Sequence, residues 1–363
     1  MESFQSGHHF VHEFINTAVS DVANKDIYGE ERPVFHLDKA KAILSLGADF
    51  LGASVSPVLF ARQYAQFRTA TPRGVLIQVE PSMSLTGANA DLWQPARPGS
   101  EGALALGLAN ILISKFGVGA DGLSADLRAA IQPYTLDRTA SETGIDKERL
   151  QKIAGLLRER SPSLVLVGAS ATGYAHGYQA AAAAQALNVL LGNVGKTITS
   201  AGAFPFAQLA ARSGGTRDLL SFISSAEKGA LDVAFIYGTN PAYTAPAYLK
   251  FEEKFAKVPF KVVLSQFLDE TAKSADIVLP LTSSLEDWGT HVAAYRPQQV
   301  ALQQPLMEKL YPETRGLGDV LLAFVKTRAS STFAGFNDYY AYLREAMINL
   351  PAQYKGDVPA DMF

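Results

Sequence analysis

Short apolar, β-branched runs alternate with longer helical patterns along nearly the whole chain, and this alternation constrains the fold more than any other feature. It is typical of parallel βαβ units, in which helices cover the faces of a sheet. We therefore predict an α/β fold with mainly parallel sheets. The predicted strands are Ala42 to Leu46, Val75 to Val79, Leu164 to Val167, Val233 to Tyr237, Lys261 to Leu264 and Ile277 to Leu279.

Several helices can be recognised from the residues that begin and end them. Ser100 is placed to cap a helix over Glu101 to Phe116, and Gly117 is placed to end it. Asp146 is placed to cap a second helix that reaches Arg160. A third helix is predicted over residues 178–191, because this alanine-rich sequence has a high helix propensity.

A length of 363 residues is enough for two α/β domains, each with its own core. The stretch from Gly192 to Gly215 contains five glycines and separates two sets of strand–helix alternation. We therefore predict a first αβα domain over residues 1–200, a second over 201–330, and a helical tail over 331–363 that is rich in Tyr and Phe.

Composition excludes several classes of protein. The net charge of −3 gives no reason to expect a nucleic acid or an anionic membrane surface as a partner. No apolar run reaches the roughly 20 residues that a membrane-spanning helix needs, and no signal peptide is expected from the residues at the start. Since the sequence contains no cysteine, it offers no disulfide, thiolate nucleophile or cysteine-ligated iron–sulfur cluster.

Polar residues and glycines in the first half follow predicted strands or open a predicted helix. Ligands of parallel sheets collect at the carboxyl ends of strands, and glycine there lets a ligand approach the backbone. A helix that opens with Pro-Gly-Ser presents free N–H groups to an anion. The candidate binding residues of this half are Gly47, Asp49, Glu80, Ser82, Asp91, Pro98, Gly99 and Ser100.

The second half repeats this plan. Asp and Asn at such positions can bind a ribose or base edge, and Thr can bind phosphate. The candidates are Gly238, Asn240, Asp269, Thr271, Asp276, Gly289 and Thr290. Any one of them taken alone is equally an ordinary turn or cap, but their order and spacing carry more information. We expect the strand tips of both halves to face a common groove sized for an extended nucleotide.

The ordered set of motifs resembles the pterin-binding region of the molybdopterin oxidoreductase superfamily. That family's pattern includes Gly-x-Asn-Pro, Asp-Pro-Arg, Ala-Asp and Pro-Gly-Thr-Asp, then a second Gly-x-Asn-Pro, Thr-Glu-Thr-Ala, Ala-Asp-x-Val-Leu-Pro and Glu-x-x-Gly-Thr. Similar segments occur in order over residues 35–300. They are residues 47–49, 80–82, 90–91, 98–101, 143–144, 192–195, 238–241, 269–272, 275–280 and 286–290. The resemblance implies two Rossmann-like αβα domains that bind molybdopterin guanine dinucleotide.

The departures from that pattern are concentrated in the first half. Asp49 followed by Phe50 replaces the first Asn-Pro, and its carboxylate would repel phosphates. Glu80-Pro81-Ser82 replaces Asp-Pro-Arg and loses an arginine that could pair with the cofactor's phosphates. The second-half motifs stay nearly intact.

The sequence around residues 47–63 is most similar to the molybdopterin-like subunits of alternative complex III and related quinone-linked complexes. This resemblance implies a scaffold that has lost molybdenum, with iron–sulfur and cytochrome or membrane quinone-binding subunits as partners. It also implies a place at the periplasmic face of a bacterial membrane. A working oxidoreductase fragment that retains molybdopterin guanine dinucleotide is the alternative, and whether the chain catalyses a reaction by itself stays open.

Other chemistries find weaker support. His12 and Glu13 in the upstream segment, like Glu286, Asp287 and His291, are as consistent with solvated or structural roles, so no metal ligand is assigned. No Gly-x-Ser-x-Gly elbow and no complete phosphate-binding loop is present. A nicotinamide-dependent dehydrogenase is disfavoured, because no Gly-x-Gly-x-x-Gly lies between a strand and a helix.

Overall fold

The computed structural model describes residues 8–14, 17–54, 56–201, 214–292, 300–328 and 333–349. The chain divides into two compact units. We call Ile15–Pro205 with Ala294–Pro297 the first unit, and Met1–Phe14, Phe206–Ala293 and Gln298–Phe363 the second unit. Residues 8–14, which the sequence-based division assigned to the first domain, belong to the second unit in this division. The predicted domain bounds stay a prediction.

A four-stranded parallel sheet forms the centre of the first unit. Its strand order is β4-β3-β2-β5, and all five residues of the central strand β2 are buried. A short antiparallel pair, β1 with β6, completes the strands of this unit. The strands are β1 (Val34–Phe35), β2 (Ala42–Leu46), β3 (Val75–Glu80), β4 (Leu92–Pro95), β5 (Ser163–Val167) and β6 (Ile198–Thr199).

The helices of the first unit form apolar cores on the sheet. The larger core joins Leu44 and Ile77 of the sheet to Leu108 and Leu187 of helices α4 and α9. A second core packs Ile43 and Leu76 against Phe67 of α2. The helices are α1 (Ala18–Tyr28), α2 (Pro57–Thr69), α3 (Leu85–Ala88), α4 (Glu101–Ser114), α5 (Ala125–Ile131), α6 (Leu136–Thr143), α7 (Lys147–Glu159), α8 (Ala169–Thr172) and α9 (Gly177–Leu190).

The second unit contains a three-stranded parallel sheet of order β7-β8-β9 and an antiparallel pair, β10 with β11. Phe251 and Phe255 pack with Val263 in its main core. The strands are β7 (Val233–Tyr237), β8 (Phe260–Ser265), β9 (Ile277–Pro280), β10 (Gly289–Val292) and β11 (Val300–Gln303). The helices are α10 (Thr216–Glu227), α11 (Pro241–Thr244), α12 (Phe251–Phe255), α13 (Glu270–Lys273), α14 (Leu317–Arg328) and α15 (Tyr339–Ile348).

The predicted α/β class with parallel sheets is confirmed, and all six predicted strands occur within two residues of their predicted bounds. Strand β4 was not predicted, because an edge strand that is only partly buried carries a weak apolar pattern. The Asp146 cap is confirmed, since its carboxylate accepts a hydrogen bond from Arg149 N at 2.7 Å. In the described part of the chain, no helix has the length and apolar character to cross a bilayer.

Candidate functional site

A cavity of about 500 Å³ lies at the carboxyl ends of β2, β3 and β5 in the first unit. Four predicted residues line it, namely Gly47, Asp49, Glu80 and Ser82. Helix α1 contributes Asp21 to the lining. The strand-end rule therefore located a real concave site, and the contacts of each residue decide what this site can hold.

Gly47 has a left-handed backbone conformation, with φ of 62°. The space beside it is already filled, however, because a Cβ at this position would lie 1.8 Å from Ser170 Oγ. Ser170 Oγ donates to Gly47 O at 3.3 Å, and Gly47 N donates to Val79 O at 2.8 Å. At this strand tip the chain's own serine occupies the position where the sequence predicted a ligand.

The two carboxylates beside this tip are engaged within the fold. Asp49 Oδ1 accepts hydrogen bonds from Thr86 N at 3.0 Å and Thr86 Oγ1 at 2.7 Å. Glu80 is 3% exposed, and its oxygens accept from Ser84 N at 2.8 Å, Gln78 Nε2 at 2.7 Å and Trp93 Nε1 at 3.2 Å. These contacts hold the turns after β2 and β3 in place.

The remaining first-half candidates do not line the cavity. Asp91 lies at the opposite edge of the sheet, before β4, where its carboxylate accepts from Leu76 N at 2.8 Å and pairs with Arg68. Ser100 does not cap α4 with its side chain, because its hydroxyl donates to Arg97 O at 2.6 Å. Pro98 and Gly99 lie in this same turn, and Gly99 O contacts His176 Nε2 at 2.9 Å.

Glu101, the first residue of α4, places a carboxyl group at this helix start. Its side chain is fully buried, and neither carboxylate oxygen makes a hydrogen bond of normal geometry with the described residues. Burial raises the pKa of Glu101, while the nearby backbone N–H groups of Glu101 and Gly99 act in the opposite direction. The helix N-terminus that was predicted to receive an anion therefore faces a carboxyl group of the chain.

A larger cavity of about 850 Å³ lies in the second unit beside the ends of β7 and β8. Five predicted residues line it, namely Gly238, Asn240, Asp269, Gly289 and Thr290. Gly238 has φ of 67°, and a Cβ there would meet no atom of the described residues within 4 Å. This strand tip thus keeps the open space that its counterpart at Gly47 lacks.

The two units share a local arrangement at these tips. Asn240 Oδ1 accepts from Thr271 N at 3.2 Å and Thr271 Oγ1 at 2.7 Å, as Asp49 does from Thr86. Thr271 is buried and does not line the cavity, and Asp269 caps α13 by accepting from Ala272 N at 2.8 Å. These contacts fix the turns around the open tip.

Asp276 repeats the position of Asp91. It accepts from Lys261 N at 2.7 Å, before β9, and lies outside the cavity. The Lys261 ammonium, 2.9 Å away, and the backbone N–H of Lys261 hold the pKa of Asp276 below its usual value. The Ala-Asp pairs of the two halves therefore connect neighbouring strands.

Both cavities are acidic. Among the described residues, neither lining includes Lys or Arg. The first cavity is lined by the carboxylates of Asp49, Glu80 and Asp21, and Asp21 pairs with Arg32 at 3.2 Å. The second cavity is lined by two carboxylates. The second pair is Asp269 and Asp287. No group of three or more His, Asp or Glu side chains in the described ranges is arranged to hold a metal ion.

Comparison with known proteins identifies the family to which this chain belongs. Residues 4–309 match the family model for molybdopterin oxidoreductase, so the chain belongs to the molybdopterin oxidoreductase family, as predicted. The chain is 31% identical over 320 residues to the menaquinone reductase, molybdopterin-binding-like subunit, of Nitratidesulfovibrio vulgaris. That match covers 82% of this chain and 45% of the relative.

More distant relatives include enzymes. The molybdopterin-containing subunit of the arsenate respiratory reductase of Shewanella sp. is 22% identical over 385 residues, covering 87% of this chain and 44% of that protein. Acetylene hydratase from Pelobacter acetylenicus shares the fold with a TM-score of 0.70 and 17% identity, over 90% of this chain and 52% of that one. The chain spans about half the length of the relatives it matches.

The dinucleotide form of this family's cofactor carries a pyrophosphate, which proteins hold with Arg, Lys or free backbone N–H groups. The first cavity offers carboxylates without a basic side chain in its described lining, and Ser170 fills the space beside its glycine. These residues do not fit a pyrophosphate. The second cavity keeps open space beside Gly238, but its carboxylates carry negative charge, as a pyrophosphate does.

The sequence interpretation missed the side chains that close the first tip and those that form one wall of the second cavity. Ser170 follows β5 closely, so the same strand-end rule that selected Gly47 could have found it. Trp288, Tyr339 and Tyr342 line the second cavity. The two tyrosines lie in the predicted helical tail that is rich in Tyr and Phe, and no local signal showed which cavity they would reach.

Proposed function

We propose that this chain serves as a scaffold within a membrane-associated, quinone-linked electron-transfer complex and that it has lost molybdenum and the pterin. Its relationship to a menaquinone reductase subunit supports the quinone link. The observation that carries the loss is the first strand tip, where Ser170 Oγ fills the space beside Gly47. An acidic cavity adjoining that tip opposes a phosphate ligand.

The partners that we propose are iron–sulfur and cytochrome or membrane quinone-binding subunits. The sequence has no cysteine with which to bind a cluster, so electrons would pass through other subunits. We place the complex at the periplasmic face of a bacterial membrane, on the strength of the family resemblance.

Pterin and metal analysis tests this proposal. The chain would be purified from a host that makes the molybdenum cofactor, oxidised to release fluorescent pterin, and assayed for molybdenum and tungsten by mass spectrometry. A catalytic family member purified in parallel provides the positive control. We expect far less than one pterin and one metal per chain, and a stoichiometric content of either would refute the loss.

A second experiment tests the electrostatic argument directly. The combined substitutions Asp49→Asn, Ser82→Arg and Ser170→Gly restore the family's Asn and Arg and open the space beside Gly47. Inorganic pyrophosphate, titrated calorimetrically, should bind this variant at least about tenfold more tightly than it binds the natural sequence, because the variant loses one negative charge and gains one positive charge. Equal binding by both proteins would contradict the account of the first tip.

The alternative function is that of an oxidoreductase fragment that binds molybdopterin guanine dinucleotide. The open space beside Gly238 favours it, since this tip keeps the geometry that the prediction required. Stoichiometric pterin in the first experiment would support this reading.

A further inference from the structure

The cavity of the second unit combines aromatic rings, carboxylates and an open interior. We infer that it binds a small organic ammonium ion, a ligand of opposite charge to a nucleotide. This inference concerns the second unit alone, so it holds whether or not the first cavity has lost its pterin.

Aromatic rings form one wall of this cavity. Trp288 lines it and packs against Tyr340, with 4.4 Å between ring centroids and the rings tilted by 36°. Tyr339 and Tyr342, both in the lining, lie 5.9 Å apart with their rings 18° from parallel. Electron-rich ring faces attract cations, and indole attracts them most strongly. The wall therefore suits an ammonium group with methyl or methylene substituents.

The aromatic wall is held in place by backbone contacts. Asp319 Oδ1, on α14, accepts a hydrogen bond from Tyr339 N at 2.7 Å. Gly318 lets the Tyr339 ring approach α14 closely, because a Cβ there would lie 2.2 Å from the ring. Asp338 caps α15 by accepting from Ala341 N at 2.8 Å. A fixed wall lowers the entropy cost of binding a small ligand.

The carboxylates in and beside this cavity form no close ion pair within the described part of the chain. Asp269 and Asp287 line it, and neither they nor Asp319 forms an ion pair with any residue in the described ranges. Burial raises the pKa of Asp287, and the charge of Asp319 acts in the same direction. The backbone N–H of Trp288, the Thr282 hydroxyl and the Lys309 charge act against this rise in pKa but do not cancel it. A bound cation would relieve this unbalanced charge.

Thr282 adds an oxygen that the fold leaves unsatisfied. It is 7% exposed and lines the cavity. Its hydroxyl makes no hydrogen bond of normal geometry with the described residues. The hydroxyl nevertheless lies near enough to Asp287 to lower the pKa of that carboxyl group. Together with Asp287 it presents acceptor oxygens in the lining that also contains the rings. The carboxylates of this lining disfavour an anionic ligand.

Choline and its neutral isostere 3,3-dimethylbutan-1-ol test the inference, since the two differ in charge and hardly in shape. Calorimetric titration of the full chain should show choline binding at least about tenfold more tightly than the alcohol, the scale of a desolvated cation–π contact. Trp288 fluorescence should change with choline at the same concentration. Equal affinity for the two probes would overturn the inference. So would the absence of choline binding at concentrations that reach the millimolar range.

Two substitutions locate the site. Asp287→Asn removes the charge, and Tyr342→Leu removes one ring from the wall; each should weaken choline binding at least about fivefold. Glu313→Gln is the matched control, an exposed carboxylate of the same unit outside the lining, and should leave choline affinity unchanged. If Asp287→Asn does not fold, the inference is tested by Tyr342→Leu and by the comparison of choline with the alcohol on the natural sequence. Choline binding that survives both substitutions would show that the cavity is not the site.

Discussion

Two glycines at equivalent strand tips show how single residues set the properties of the two cavities. Gly47 and Gly238 both adopt left-handed backbone conformations, with φ of 62° and 67°. Only Gly47 is crowded, because Ser170 Oγ occupies the position of a side chain. The two glycines thus have similar φ angles, but only the space beside Gly238 is open. The difference comes from Ser170, which is more than a hundred positions from Gly47 in the sequence.

Substituting alanine at these glycines should give unequal losses of stability. Gly238→Ala should cost about 1 kcal/mol from backbone strain alone, whereas Gly47→Ala adds a steric clash and should cost about 3 kcal/mol. Urea unfolding of the two variants measures this. Ser170→Gly combined with Gly47→Ala should recover part of the loss, and equal losses for the two single variants would show that the space beside Gly47 is open.

Glu101 provides a pH-dependent prediction at the same scale. Because burial raises its pKa above the ordinary 4.5, the native state holds this proton more tightly than the unfolded chain does. The associated stability is complete below the unfolded pKa and is lost as pH rises through the native pKa. Glu101→Gln mimics the protonated acid, so it should match the natural sequence below pH 4.5 and exceed its stability at pH 8 by on the order of 1 kcal/mol.

Thermal unfolding of both proteins across this pH range measures the difference. Glu159→Gln, an exposed carboxylate at the end of α7, is the control and should show no such divergence. A variant less stable than the natural sequence at pH 8 would mean that the Glu101 carboxylate has a stabilising partner.

At the scale of elements, the Ala-Asp pairs connect neighbouring strands. Asp91 accepts from the backbone of Leu76 in β3 and pairs with Arg68 in α2, so it joins the start of β4 to a strand and a helix. Asp276 makes the corresponding connection between β9 and β8. A motif that the family resemblance assigned to the cofactor therefore has a structural role in both units.

Removing the Asp91 carboxylate should destabilise the protein even when no cofactor is present. Asp91→Ala loses a hydrogen bond to Leu76 N and a two-point contact with Arg68, which together should cost about 2 kcal/mol. Asp121→Ala, in an exposed loop of the same unit, should change stability by less than about 0.5 kcal/mol. Urea unfolding compares the two, and an unchanged midpoint for Asp91→Ala would favour a ligand-binding role for that carboxylate.

At the scale of the whole molecule, contacts between distant parts of the sequence join the start of the described chain to the second unit. Residues 8–14 belong to that unit, and their contacts with it span more than 200 positions. Val11 N donates to Asp218 Oδ2 at 3.0 Å, and Phe10 packs edge-on against Phe222 with 5.6 Å between centroids. Long-range contacts of this kind leave no trace in local composition.

The packing of Phe10 should stabilise the second unit in particular. Phe10→Ala should cost about 2 kcal/mol, because this ring is only partly buried. Each unit contains one tryptophan, Trp93 in the first and Trp288 in the second, so their fluorescence can be separated by replacing either one with Phe. The transition reported by Trp288 should fall more than that reported by Trp93, and His9→Ala, an exposed neighbour, should change neither.

The sequence by itself determined the class of fold, the positions of six strands and the family. It could do so because alternating apolar patterns and glycines at strand tips are local consequences of parallel βαβ structure. Gly47 and Gly238, which the strand-end rule selected, each line a cavity of their own unit. That the two tips face a common groove stays a prediction.

Only the tertiary structure decided what those residues do. Ser170 closes one tip, Thr86 and Thr271 engage the polar side chains after both, and Asp91 and Asp276 face the opposite edges of their sheets. Whether a carboxylate meets a ligand or a neighbouring hydroxyl depends on side chains brought together from distant parts of the sequence. Such encounters arise from packing, which a linear pattern does not encode.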